Sequence, residues 1–239
     1  MRCAASPTQH PPLTRSLQGD GFHITLDGRT LRTPARAELR LPSLPLALAV
    51  AAEWEWQDAK NIRPFTMPLM ALCSTAIDRV PVTRGTTVAS LLRFFETDAL
   101  CVRSEHPLLA ARQAAAWDPL LEWAGGELGA RPNASASIFG PQQPPAVVEA
   151  FTRALAKADD WQLAGITAAS AAARSLVMAF ALARGRVRPA DAPPLLRVDE
   201  DFQTDEWGVV EGGHDIDAAD LRARCASAAV FLELLRDRR

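Results

Sequence analysis

The hydrophobic pattern of this chain changes period once, and that change restricts the folds that it can adopt. Residues 22–34 read FHITLDGRTLRTP, and Ile24 and Leu26 alternate with polar residues ahead of an Asp27-Gly28 pair. Both residues of an Asp-Gly pair tolerate positive φ, so Asp27 and Gly28 are assigned a structural role as the turn of a hairpin. The first part of the chain therefore contains an antiparallel sheet.

The next segment, PSLPLALAVAAEWEWQ (42–57), has the period of a helix instead. Ser43 is placed to cap its N-terminus. Leu46, Val50 and Trp54 recur at three-to-four spacing and share one face. We therefore interpret Trp54 as a structural residue that packs in the core.

From residue 107 onward the pattern is almost wholly helical, and the fold class that follows is α+β. We predict a small N-terminal α+β domain over 20–104, with a hairpin and helices, and an all-helical C-terminal domain over 105–239. Residues 1–19 contain two arginines, three prolines and no acid. They are interpreted as a disordered tail or the remnant of a transit peptide, outside the fold in either case.

The helical part raises three further expectations. Residues 164–183 are long and apolar enough to suggest a membrane span, but Arg174 at their centre favours a buried helix of a soluble protein. The helix over 107–128 is expected to bend or restart at Pro119. The last helix is expected to start near Asp217, with that residue as its cap.

Composition excludes several classes of function. The formal net charge is −2 and no long basic run occurs, which disfavours nucleic-acid binding. The four cysteines and four histidines have no ligand-like spacing, so neither a zinc site nor a disulfide framework is expected. Serine-hydrolase elbows, phosphate-binding loops and dinucleotide fingerprints are missing from the sequence. We expect no cofactor, no metal and no hydrolase activity.

Acidic residues are concentrated in RVDEDFQTDEWGVVEGGHD (197–215). As a helix, this segment places Val198 and Phe202 inward, while Asp201 and Asp205 become like charges four residues apart, which disfavours the helix slightly. We therefore expect it to meet cationic groups, in its own fold or on a partner. Trp207, within the same segment, is either an interface anchor or a core plug beneath a loop.

An enzymatic alternative uses the same segment, with Glu200, Glu211 and His214 as its site. Glu211 and His214 form one E-x-x-H pair of the kind found in di-iron bundles. Such sites need two of these pairs, and the two glycines between Glu211 and His214 disfavour a regular helix. A generic interaction module with another client is the remaining alternative.

A family resemblance favours one of these alternatives. In order, the chain contains LDGRTLRTP, AAEWEWQ, MPLMALCSTAID, ETDALCVR, RQAAAWDPLLEW, RSLVMAFAL and DEDFQTDEWGVVEGGHDID. Together these stretches resemble the assembly factor 2 family of the F1 sector of ATP synthase, from about Phe22 to the C-terminal helix. The resemblance implies a small α+β domain joined to a helical domain, and a chaperone without enzymatic activity.

The resemblance also implies a client and a place of work. The client is the unassembled α subunit of F1, which the chaperone protects from aggregation and hands over for α/β assembly. The place is the mitochondrial matrix, or the cytoplasm in bacterial relatives, and the protein is expected to be a monomer without membrane insertion. The residues that fall in the family's C-terminal signature, and are expected to bind the partner, are Glu200, Gln203, Trp207, Glu211, His214 and Asp215.

Overall fold

The computed structural model describes residues 13–15, 21–58, 60–137, 139–208 and 214–236. Its sheet has four short strands, β1 (Leu13–Arg15), β2 (Phe22–Leu26), β3 (Arg29–Thr30) and β4 (Arg40–Leu41). β2 is central and pairs antiparallel with each of the other three strands. The sheet confirms the antiparallel part of the predicted α+β fold.

The hairpin between β2 and β3 is the one that the sequence predicts. Leu26 pairs with Arg29, and between them Asp27 and Gly28 have φ values of 50° and 75°. Two successive positive φ values identify a turn whose twist matches that of the flanking strands. β1 was not expected, because Leu13–Arg15 lies in the segment that we predicted to be outside the fold. Its pairing with β2 shows that these three residues belong to the sheet.

Ten α-helices follow in the part of the chain that the structure describes. Their bounds are α1 (Leu44–Glu55), α2 (Pro68–Ser74), α3 (Val80–Phe95), α4 (Pro107–Leu128), α5 (Pro145–Lys157), α6 (Asp160–Ala173), α7 (Leu176–Ala183), α8 (Ala192–Leu196), α9 (Val198–Trp207) and α10 (His214–Arg236). A single π-helical turn, Thr75–Arg79, joins α2 to α3. Ser43 caps α1 as predicted, since its side chain accepts a hydrogen bond from the Leu46 amide.

The structure corrects two details of the predicted helices and decides part of a third. α4 runs through Pro119 without the restart that was one of its two expected outcomes. The predicted helix over 164–183 is two helices, because Arg174 adopts a left-handed conformation (φ 52°) and Ser175 caps α7 through the Met178 amide. The last helix begins at His214, so Asp217 lies inside its first turns and is not its cap. At the junction of α6 and α7, the left-handed Arg174 and the Ser175 cap override the local helical pattern.

Apolar side chains form two clusters. One joins the sheet to α1 and α2, and Trp54 packs against it. The other is built mainly from α3 to α7, and it includes Ala76 and Cys101, which precede the predicted boundary at residue 104. α10 contributes Phe231 and Leu235 to the first cluster and Leu232 to the second. The division into two domains at residue 104 stays a prediction.

The packing of α10 against α6 depends on one glycine. A Cβ atom at Gly165 would lie 2.5 Å from Leu232 Cδ2, which is closer than side chains can pack. Glycine therefore lets the two helices approach each other. No described helix is both long enough and apolar enough to cross a membrane.

Candidate functional site

The acidic segment forms a short helix, α9, whose start and end have local causes. Arg197 separates α8 from α9, so the acids Asp199, Glu200 and Asp201 lie in the first turn of α9. Negative charge at that end is stabilised by the partial positive charge of the helix N-terminus. The helix ends at Gly208, whose φ is 83°. The helical interpretation of this segment is therefore confirmed for Val198–Trp207.

One side of α9 is fixed to α4 by hydrogen bonds. The Gln113 side chain is buried, and its Nε2 donates to Asp199 Oδ1 at 2.7 Å. Its Oε1 accepts from the Ser104 amide at the same distance. Trp117, one turn further along α4, donates from Nε1 to the carbonyl of Leu195, which lies in α8, at 2.7 Å. Buried polar groups with satisfied partners therefore hold both α8 and α9 against α4.

The apolar contact of α9 is Phe202. Its side chain is buried as predicted, against the tilted ring of His106 at a centroid distance of 5.3 Å. The guanidinium of Arg112 lies 5.1 Å from the centre of the same ring and also pairs with Asp205 at 2.6 Å. A second cation, Arg197, lies 3.4 Å from Asp201. Both members of the like-charge pair on α9 thus have a cationic partner within the fold, as expected.

The other side of α9 faces outward. Gln203 and Glu206 are exposed, Glu200 is half-buried, and the Trp207 side chain is 78% exposed. Among the described residues no ion pair is formed by Glu200 or Glu206. Trp207 is therefore not a core plug. We name the set Glu200, Gln203, Glu206 and Trp207 the α9 surface, where carboxylates surround an exposed indole.

The remaining predicted residues follow α9 in the chain. Glu211 lies outside the described residues. His214 and Asp215 open α10, and their side chains are likewise outside what the structure describes. The structure therefore does not test whether these three residues join the α9 surface. No cluster of three or more histidine, cysteine or carboxylate side chains able to hold a metal occurs within the described residues.

Sequence reasoning missed the α4 residues that support the site. Gln113 lies on the buried face of α4 together with Trp117, Leu120 and Leu121. A glutamine at helical spacing from three apolar residues was the available signal, because a buried amide needs partners. Its partner, Asp199, is 86 residues away along the chain. No local sequence pattern identifies Asp199 as that partner.

The sequence and the fold of this chain are similar to those of known proteins. A family model described as the ATP12 chaperone protein matches residues 9–125. The crystal structure of Atp12 from Paracoccus denitrificans superposes with a TM-score of 0.86 and 32% identity, covering 95% of this chain and 97% of that one. This chain belongs to the ATP12 chaperone family. The resemblance inferred from the sequence motifs is confirmed.

Two curated mitochondrial proteins agree with that assignment. Atp12 of Schizosaccharomyces pombe is 27% identical, over 98% of this chain and 87% of the yeast protein. ATP12 of Saccharomyces cerevisiae is 24% identical, over 91% of this chain and 80% of its own length. As a member of the ATP12 family, this protein is an assembly chaperone for ATP synthase rather than an enzyme.

Proposed function

We propose that this ATP12-family chaperone binds the unassembled α subunit of the F1 sector through the α9 surface. The observation that supports the proposal is the exposed Trp207 indole beside Glu200 and Glu206 on a helix whose opposite side is fixed to α4. Tryptophan is enriched among residues that dominate binding energy. A rigid helix presents it without a large ordering cost.

The chemistry of the α9 surface suits a chaperone that must release its client. An unassembled subunit exposes apolar surface that its neighbour later covers, and such surface aggregates. Carboxylates around one aromatic anchor contribute specificity and a faster encounter while leaving the affinity moderate. The β subunit then displaces the chaperone as the α/β interface forms.

The place of action follows from the client. We propose that the protein works where F1 is assembled, which is the mitochondrial matrix, or the cytoplasm if the chain comes from a bacterium. The mitochondrial names of the two yeast relatives support the first location. Glu211, His214 and Asp215, next along the chain from α9, are proposed to extend the same surface, with the protein acting as a monomer.

Charge reversal and truncation on α9 test the proposal. Glu206→Lys and Trp207→Ala should leave the melting temperature nearly unchanged, because both side chains are exposed. Light scattering should nevertheless show reduced protection of purified F1 α subunit against aggregation. The loss for Glu206→Lys should be larger at low salt, where charge steering is least screened.

A matched control separates the α9 surface from general surface charge. Glu149→Lys reverses an exposed carboxylate on α5 and should protect the α subunit as well as the unmodified protein does. Protection of an unrelated aggregating protein to the same extent would indicate a generic interaction module. Full protection of the α subunit by Glu206→Lys and Trp207→Ala would show that the client binds elsewhere.

A further inference from the structure

A groove of about 390 Å³ lies between α3 and α6, apart from the α9 surface. Hydroxyl-bearing side chains form much of its lining, among them Thr83, Thr87 and Ser90 from the α3 side and Thr167 and Ser170 from α6. Such a row of hydroxyls on two neighbouring helices is unlike the apolar interior on the other side of α6, where Leu163, Ile166 and Ala169 are buried. The lining therefore indicates a ligand with polar groups along its length.

Three threonine hydroxyls of the groove are arranged to accept hydrogen bonds rather than to donate them. The hydroxyls of Thr83, Thr86 and Thr167 each donate their proton to a backbone carbonyl of the helical turn that precedes them. The acceptors are the carbonyl oxygens of Arg79, Thr83 and Leu163, at 2.9, 2.8 and 2.7 Å. With its proton used, each threonine oxygen offers only lone pairs to the groove. A ligand that presents N–H groups is complementary to them.

Ser170 supplies the observation that most directly points to a ligand. Its side chain is 1% exposed, and the Oγ atom has no hydrogen-bond partner among the described residues. A buried hydroxyl without a partner is destabilising, by about 1–3 kcal/mol in mutational data. Ser170 lines the groove, and because its Oγ atom is covered in the empty groove, a ligand seated there can accept its proton once the side chain rotates toward the groove.

The two ends of the groove differ in chemistry. Arg79 lines one end, and the described residues include no ion-pair partner for its guanidinium. Leu91 and the partly exposed Phe94 line the α3 side, twelve and fifteen residues further on. The exposed Ala171 contributes a small side chain from α6. A ligand can therefore place an acceptor at the Arg79 end and an apolar side chain at the Phe94 end.

We infer that this groove binds an extended segment of the client polypeptide, an inference that rests on the proposed chaperone function. Main-chain N–H groups of the segment donate to the threonine oxygens, and a carboxylate of the segment pairs with Arg79. A main-chain carbonyl accepts from Ser170 after its side chain has rotated toward the groove. An inorganic anion fits less well, because the threonine protons that it needs are already used. An extended chain offers the required donors regardless of its sequence, as in other main-chain recognition modes.

The dimensions agree with this occupant. Residues 79 to 94 span about 22 Å at the rise of a helix. An extended chain advances about 3.3 Å per residue, so roughly seven residues cover that length. The client segment is thus short, and an acidic residue and an apolar residue near its opposite ends are its recognition features.

Fluorescence anisotropy with labelled peptides tests the inference. The probes are peptides of roughly 12 residues that tile the F1 α-subunit sequence, so that each exceeds the span of the groove. At least one peptide should bind the full chain. Ala171→Leu and Ser90→Leu, which fill the groove from α6 and α3, should each weaken that binding by about tenfold or more. Both positions are exposed, so melting curves should be unchanged.

The matched control is Ala89→Leu, an exposed position on α3 beside Ser90 that does not line the groove. The affinity of Ala89→Leu for the bound peptide should stay within about twofold of the affinity of the unmodified chain. Arg79→Gln should weaken peptides that carry an acidic residue, and replacing that residue by its amide should remove the difference. If Arg79→Gln weakened the acidic peptide and its amide form equally, the carboxylate would bind elsewhere and the Arg79 contact would be overturned.

The outcomes also separate this inference from the proposed function. If the chain protects the α subunit but no peptide binds, or if peptides bind the filled variants equally well, the groove is not the peptide site. If the unmodified chain fails to protect the α subunit, the proposed function fails, whatever the groove binds. Concentration-dependent dimers that Ala171→Leu abolishes would identify a second copy as the occupant and overturn the inference.

Discussion

α7 and α9 hold carboxylates in opposite ways. At the N-terminus of α7, the fully buried Asp98 accepts hydrogen bonds from the amides of Leu176 and Val177, at 2.7 and 3.1 Å, and from the Leu100 amide at 3.0 Å. On α9, the half-buried Glu200 and the exposed Glu206 form no ion pair among the described residues, and Phe202 is the buried side chain of the helix. The same functional group thus connects distant segments in one place and remains available to a partner in the other.

Burial also changes the acidity of Asp98. Burial raises the pKa of Asp98 to about 6, against the lowering effect of the Ser175 hydroxyl and the three backbone amides. Asp98 therefore works as an internal support for α7, whereas the α9 surface can change charge with little effect on the fold. The four predictions below test this difference, from the largest expected effect to the smallest.

Removing the buried carboxylate should have the largest effect. Asp98→Ala leaves three buried amide donors without an acceptor and should lower the free energy of unfolding by about 3–5 kcal/mol. Chemical denaturation measures the loss. Asp205→Ala on α9 is the matched change and should cost less than about 1 kcal/mol, since its pair with Arg112 is exposed. Equal losses would remove the distinction between the two helices.

Trp54 and Trp207 allow the same comparison between a buried and an exposed aromatic side chain. Trp54 packs against the N-terminal cluster, and its Nε1 is buried. Trp54→Arg should therefore destabilise the fold by about 3 kcal/mol, because an arginine there buries charge in place of an indole. Trp207→Arg should leave the melting temperature unchanged. A Trp54→Arg protein with normal stability and impaired client binding would instead assign Trp54 to the interface.

The raised pKa of Asp98 predicts a pH dependence with a definite sign. The folded state holds the proton more tightly than the unfolded chain, whose aspartates titrate near 3.9. The contribution of Asp98 to stability is therefore fully present below about pH 4 and is lost as the pH rises through about 6.

The measurement compares the unmodified chain with Asp98→Asn, which cannot titrate, across that pH range. Relative to the variant, the unmodified chain should lose up to about 3 kcal/mol between pH 4 and pH 7. Since other titrating groups are common to both proteins, their contributions cancel in the difference. A difference that stays constant with pH would mean that the amide donors outweigh burial and keep Asp98 ionised.

The support beneath α9 should give the smallest of the four effects. Asp199→Ala leaves Gln113 Nε2 without its acceptor and should cost about 1–2 kcal/mol. It should also reduce protection of the F1 α subunit slightly, because α9 is held less firmly. Gln203→Ala, on the exposed side, is the control and should not change stability. If Asp199→Ala changed neither quantity, the bond to Gln113 would not support the site.

The comparison also shows which parts of the molecule have local causes. The Asp27-Gly28 turn, the Ser43 cap of α1 and the inward position of Phe202 follow from residues within a few positions of one another. Hydrophobic period and turn chemistry act over that range, so the sequence predicts them. The motif series that identified the family is likewise a property of the sequence alone.

Tertiary structure decided the features that depend on distant partners. Neither the burial of Asp98 beneath α7 nor the bond from Gln113 to Asp199 has a local signature, because their partners are 78 and 86 residues away. The same reason explains why β1 and the groove between α3 and α6 were not expected. Each depends on surfaces that folding brings together, whereas periodicity reports only the neighbours of a residue along the chain.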